Sequence, residues 1–216
     1  MQRKRRRPAV LAGVLLPAGL LAGPATGLAQ LGGLPLPLPV STATTVTGQA
    51  TVARAAILGL LGTATTSALA STGISAANAE SDVGQSAGGI GPLLGAEVLN
   101  AATYSYSNEV DSAASLANLA LTVGGISISA DSVVAEASQV QGATGSGSSY
   151  IGNLTVNGQP ILVTGAANQI IAVPGGQVIL NEQAISSSGG AVVNAIHMTI
   201  NGVADVVVAS ATAAIS

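Results

Sequence analysis

The sequence predicts an all-β domain, an antiparallel β-sandwich or barrel of about ten short strands with hairpin connections. Three observations predict it. From Ser41 onward, short runs rich in Val, Ile, Thr, Ala and Ser recur between turns that carry Gly or Asn. Three hairpin signals follow one another between Leu154 and Ala209. The composition, 48% hydrophobic and 7% charged with no Cys, Phe or Trp, calls for a core of small aliphatic side chains between closely packed sheets. The same composition is too apolar for a disordered chain. It excludes thiol chemistry, a zinc–cysteine module, a disulfide scaffold and a nucleic-acid surface built on basic patches.

The chain starts with a charge imbalance. Five of its six basic residues lie between Arg3 and Arg7, Arg54 is the sixth, and all nine acids lie further on. Arg3 to Arg7 read as the basic region of a secretory signal peptide, Ala9 to Ala22 as its apolar region, and Gly27-Leu28-Ala29 as a small-x-small cleavage site. Residues 1–29 are therefore expected to be removed, leaving a chain with a net charge of −8. The rival reading is an uncleaved anchor over Pro8 to Ala29, which Pro17 and Pro24 interrupt. No second apolar span is long enough to cross a bilayer, so no membrane span is expected after cleavage. Residues 30–41 are a spacer, because Pro35, Pro37 and Pro39 alternate with aliphatics and forbid a helix. Residues 42–216 are expected to form one domain.

Within that domain, Ala53 to Ala70 is ambiguous, since ARAAILGLLG suits a short helix that Gly59 and Gly62 weaken. Glu97 to Ser107, Ser115 to Val123 and Ile126 to Val140 alternate in places with a period of two, and Gly124-Gly125 separates the last two. Gly142 to Ser149, GATGSGSS, reads as a flexible connection. Asn157-Gly158 forms a tight turn between Leu154–Val156 and Ile161–Val163, and Pro160 places its strand at an edge. Pro174-Gly175-Gly176 turns Ile170–Val173 into Gln177–Leu180. Asn201-Gly202 turns Val192–Ile200 into Val203–Ala209. A two-residue loop there puts Asp205 on the face of Ile196, Met198 and Ile200, whereas a three-residue loop puts it beside Thr199 and His197. Turn chemistry favours the first, the cleaner apolar pattern the second.

VNGQPILVTGAANQ (156–169), VILNEQ (178–183), NAIH (194–197) and GVADVVVAS (202–210) occur in that order, after GPLLGAEVLNAAT (91–103) and SLANLALTVGGISISAD (115–131). From about Val46 to Ser210 the chain resembles the choice-of-anchor P family of secreted bacterial proteins. The resemblance implies an exported cell-envelope or extracellular domain whose attachment signal varies between members, and it brings no enzymatic activity with it. Only six residues follow Ser210, so release or non-covalent association is expected in place of a sorting motif.

The candidate chemistry is sparse. Gly84-Gln85-Ser86-Ala87-Gly88 matches the nucleophile elbow of serine hydrolases, which needs a strand-to-helix turn together with a His base. His197 is the one histidine, and Asp205 its candidate partner, as a structural or a catalytic pair. A zinc site of His and Cys ligands is excluded. Asn181, Glu182, Gln183 and Asn194 offer amide and carboxylate oxygens for a carbohydrate or calcium, or else satisfy backbone groups at strand ends. Asn108-Glu109-Val110-Asp111 lacks the spacing of a calcium loop. Tyr104 and Tyr106, two apart on one strand, either stack on a sugar or cap the edge of the core. No cofactor is expected, nor an enzyme. The expected role is structural or adhesive, with a polysaccharide- or calcium-binding module as the alternative and a serine hydrolase as a remote one. The expected partners are cell-envelope polysaccharide or further copies of the chain, because Gln169–Val173, Val192–Ile200 and Val203–Ala209 combine β-propensity with low charge.

Overall fold

A computed structural model describes residues 45–58, 64–187 and 189–216, which belong to one compact unit. The expected signal peptide and spacer lie outside the described residues, as do Gly59 and Gly62. Thirteen strands run through the described part: β1 Val46–Leu58, β2 Ala64–Ser71, β3 Ala79–Ile90, β4 Leu94–Ser105, β5 Glu109–Val123, β6 Ile126–Val140, β7 Ser146–Gly152, β8 Thr155–Val156, β9 Gln159–Pro160, β10 Gln169–Val173, β11 Gly176–Ser186, β12 Gly190–Ile200 and β13 Ala204–Ile215. They form two antiparallel sheets. The first has the order β10-β11-β12-β13-β1-β2, so the last strand lies beside the first. The second has the order β3-β4-β5-β6-β8-β9, with β7 also on β6. The inner faces pack on each other chiefly through β12, β13 and β1 against β4 to β7. This is the sandwich of the two expected architectures, and the ambiguous segment after Ala53 is strand on both sides of residues 59–63.

Between the sheets lies an aliphatic core with Leu99, Leu121, Ile128, Leu180, Ile196 and Met198 at its centre. Without large aromatics the sheets come close enough to require glycine. A Cβ on Gly48 would lie 2.5 Å from Thr103 Cγ2 and 2.8 Å from Val110 Cγ1. One on Gly147 would overlap Val193 of the opposite sheet. Gly147 belongs to β7, so the expected flexible connection is a paired strand from Ser146 onward, held by the ladder to Ser132–Ser138. The glycine-rich composition there serves close approach rather than flexibility.

Strand β6 has the expected bounds, but β5, at 15 residues, starts well before the expected Ser115, and the strands run long throughout. The reason is a transverse crease in each sheet, where the alternation of inward and outward side chains changes phase while pairing continues. On β13, Ala204, Val206 and Val208 point inward before the crease, and Ala211, Ala213 and Ile215 after it. On β5, Val110, Ala114 and Leu116 give way to Leu119, Leu121 and Val123. Single residues in the left-handed region mark the line: Ala70, Ala209 and Asn181 (φ 38°, 51° and 50°) in the first sheet, and Val98, Asn118 and Asn153 (φ 50°, 50° and 51°) in the second. In the first sheet the register is the same on both sides, with Leu180 opposite Ile196 and Glu182 opposite Asn194. Since strand side chains alternate with a period of two, such a residue exchanges the two faces for everything beyond it.

All three expected hairpin turns are present, with Val173 opposite Gly176 around Pro174-Gly175. Asn157 and Gly158 have positive φ and connect β8 to β9, where Pro160 sits on an edge strand. The expected strand Ile161–Val163 is instead irregular, because its partner β8 begins only at Thr155 and the left-handed Asn153 breaks the ladder just before it, beyond one bond from Ile161 N–H to Leu154 O. Between β12 and β13 the loop has three residues, Ile200 pairing with Ala204 and Thr199 with Asp205. Apolar alternation thus prevails over turn chemistry: a two-residue loop would bury Asp205 and expose Val206 and Val208. Of the segments expected to pair with other copies, Val192–Ile200 and Val203–Ala209 are interior strands with both edges occupied, and Gln169–Val173 alone is an edge.

Candidate functional site

The crease decides which polar residues meet. Val178 and Leu180 of β11 point into the core, and strict alternation would bury Glu182 with them. The left-handed Asn181 intervenes, and Glu182 emerges on the outer face of the first sheet. There it pairs with Asn194, while His197 of the same strand and Asp205 of β13 emerge on that face from beyond the crease. His197 Nδ1 lies 2.9 Å from Glu182 Oε2, and Nε2 lies 3.1 Å from Asp205 Oδ2. Glu182 Oε2 also accepts a 2.6 Å hydrogen bond from Asn194 Nδ2.

A neutral imidazole has one N–H, so only the protonated ring donates to both carboxylates. Burial of the ring opposes that charge. The hydrogen bonds that the ring donates to Glu182 and Asp205, with their Coulombic attraction, outweigh it and raise the His197 pKa above its ordinary value. The nearest hydroxyl, Thr199 Oγ1, is 3.5 Å from Nε2, at the limit of a hydrogen bond. Chemically the cluster ties β11, β12 and β13 together through the two N–H donors of one imidazolium.

The other predicted residues separate. Asn181 Nδ2 donates to Gly165 O at 3.0 Å, and Gln183 Nε2 donates to Asn181 Oδ1 at 2.9 Å and to Gly147 O at 3.2 Å. Both therefore satisfy backbone carbonyls, one of them on the opposite sheet, and do not share a site with Glu182. Tyr104 belongs to β4 in the second sheet, far in topology from β11 and β12, and Tyr106 lies just beyond the end of β4, where its N–H closes the turn to Glu109 O. Ser86 is in the middle of β3, laddered on both sides through Gln85–Leu99 and Ala87–Glu97. Extended strand there forms no nucleophile elbow, and His197 is on the other sheet.

Tyr104 forms a wall of a groove of about 440 Å³ on the outer face of the second sheet. Ala102 and Ala113 line its floor, and Asp111, Glu136, Ser138, Ser146 and Ser148 surround it. Cross-strand pairs set this arrangement: Tyr104 opposite Asp111, Asp111 opposite Ser138, Ala113 opposite Glu136, and Glu136 opposite Ser148. The groove was not read from the sequence. The available signal was Asp111, Ala113, Glu136 and Ser138 at alternate positions of neighbouring strands, which becomes a site only once the register is known.

Among the described residues no group of three His, Asp or Glu side chains is placed to hold a metal ion, and no helix is long and apolar enough to cross a membrane. No family model, curated protein or solved structure matches the chain.

Proposed function

We propose that the chain is an exported, non-enzymatic cell-envelope or extracellular domain with a structural or adhesive role. Export is supported by the order of basic, apolar and small residues before Gln30 and by the resemblance to choice-of-anchor P proteins. One observation carries the non-enzymatic part: the single histidine spends both ring nitrogens on Glu182 and Asp205 and faces neither Ser86 nor the groove. An adhesive role draws support from the open groove beside Tyr104, which also favours the second reading, a polysaccharide-binding module. Calcium has weaker support, since Asp111 and Glu136 are the two carboxylates of the groove and no third joins them among the described residues.

A glycan array read with and without calcium tests the reading. The adhesive reading expects glycan binding that survives chelation. Turnover of a bound glycan, or labelling of Ser86 by a fluorophosphonate, overturns the non-enzymatic assignment.

A further inference from the structure

We propose that the groove on the second sheet binds an oligosaccharide carrying free amino groups, a de-N-acetylated amino-sugar polymer. The inference rests on the adhesive reading above and names what the surface adheres to. Seven of the nine acids, Glu80, Asp82, Glu97, Glu109, Asp111, Asp131 and Glu136, lie on strands of the second sheet, and the alternation turns all of them outward. The two basic side chains of the described residues, Arg54 and His197, are both on the first sheet. Among the described residues no cation answers the carboxylates on this face, which gives it a sign complementary to a polycation.

The groove adds shape to that charge. A cation is attracted to the face of a tyrosine, and a sugar ring packs on the same face, so the Tyr104 wall serves both parts of an amino sugar. Asp111 and Glu136, on neighbouring strands, offer carboxylates to the ammonium groups of the sugar. Ser148, 3.3 Å from Glu136 Oε2, and the other serines around it offer hydroxyls to a sugar. Ala113 between them keeps the floor low. A basic peptide would meet the same charge, but it has no use for the hydroxyl-rich rim, so the glycan is the occupant assigned.

Titration calorimetry of the mature chain with a glucosamine tetramer, its fully N-acetylated counterpart and tetralysine tests this, at mildly acid pH and at about 0.05 and 0.5 M salt. The expected result is binding of the glucosamine tetramer that weakens at the higher salt, with the acetylated tetramer and tetralysine at least tenfold weaker. Tyr104→Ala and the double variant Asp111→Asn/Glu136→Gln should each weaken it at least tenfold, and Arg54→Gln on the other sheet should leave it unchanged. Unchanged thermal melting of these surface variants separates lost binding from lost folding. Equal binding of tetralysine overturns the glycan, and stronger binding of the acetylated tetramer overturns the ammonium requirement while leaving polysaccharide binding intact. Absence of binding by all three ligands overturns the proposal.

Discussion

His197 holds its place through charge, so its contribution depends on pH. The folded-state pKa is raised above the ordinary value of 6.5, and the unfolded ring keeps that ordinary value. The native state therefore binds the proton more tightly. The resulting stability is fully present below about pH 6.5 and is lost as pH rises through the folded value. Denaturation midpoints should fall over that window in the wild type and stay flat in His197→Ala. The opposite slope would mean that the ring is buried neutral. Glu182→Gln should cost about 1–3 kcal/mol, because the amide oxygen that then meets Asn194 and the imidazolium carries no negative charge. The sequence offered His197 and Asp205 as a pair under one of two loop lengths. It could not add Glu182, whose parity along β11 points to the core until the left-handed Asn181 is known. At Gly48 the opposing sheet leaves no room for a side chain, so Gly48→Val should cost about 1–3 kcal/mol in a denaturant titration.

Strands are where sequence and structure part most instructively. Runs such as Val192-Val193-Asn194-Ala195-Ile196 and Val206-Val207-Val208-Ala209 break the period of two inside the expected strands Val192–Ile200 and Val203–Ala209. In the structure each is the place where one strand crosses the crease. The hairpins at Asn157-Gly158 and Pro174-Gly175 were legible because turn chemistry is local, whereas a phase change depends on several neighbours changing in step. Asparagine accommodates the left-handed backbone, and across the crease it also bonds to a carboxylate: Asn118 Nδ2 to Glu97 Oε2 at 2.7 Å, and Asn153 Nδ2 to Asp131 Oδ2 at 2.6 Å. Val98 takes the same backbone with a β-branched side chain that is 65% exposed. Nothing in the structure explains a valine there. Val98→Asn should therefore stabilise the protein by about 1 kcal/mol, and a destabilised variant in chemical denaturation would argue against the left-handed assignment at that position.

At the scale of the molecule, charge is segregated between the two faces of the sandwich. Edge strands normally carry lysine or inward charges that discourage pairing with other chains. Here β2 and β10, the edges of the first sheet, carry no charged residue, whereas β3 at the edge of the second carries Glu80 and Asp82. Repulsion between acidic domains opposes edge pairing at low salt, and salt of about 0.15 M screens it beyond roughly 8 Å. Sedimentation velocity should thus show monomers at low salt and neutral pH, with association increasing as salt rises or as falling pH neutralises the carboxylates. Thr66→Lys or Ile170→Lys should suppress it, and a protein monomeric under all conditions would remove self-assembly from the structural role. Under the proposed function the acidic outer face of the second sheet is the contact surface, and the histidine cluster only fastens the first sheet. Retention of the mature chain on purified, polysaccharide-bearing cell envelope tests this most directly. Tyr104→Ala and Asp111→Asn/Glu136→Gln should abolish retention and His197→Ala should preserve it, whereas loss with His197→Ala alone, or retention indifferent to all three, would contradict the account.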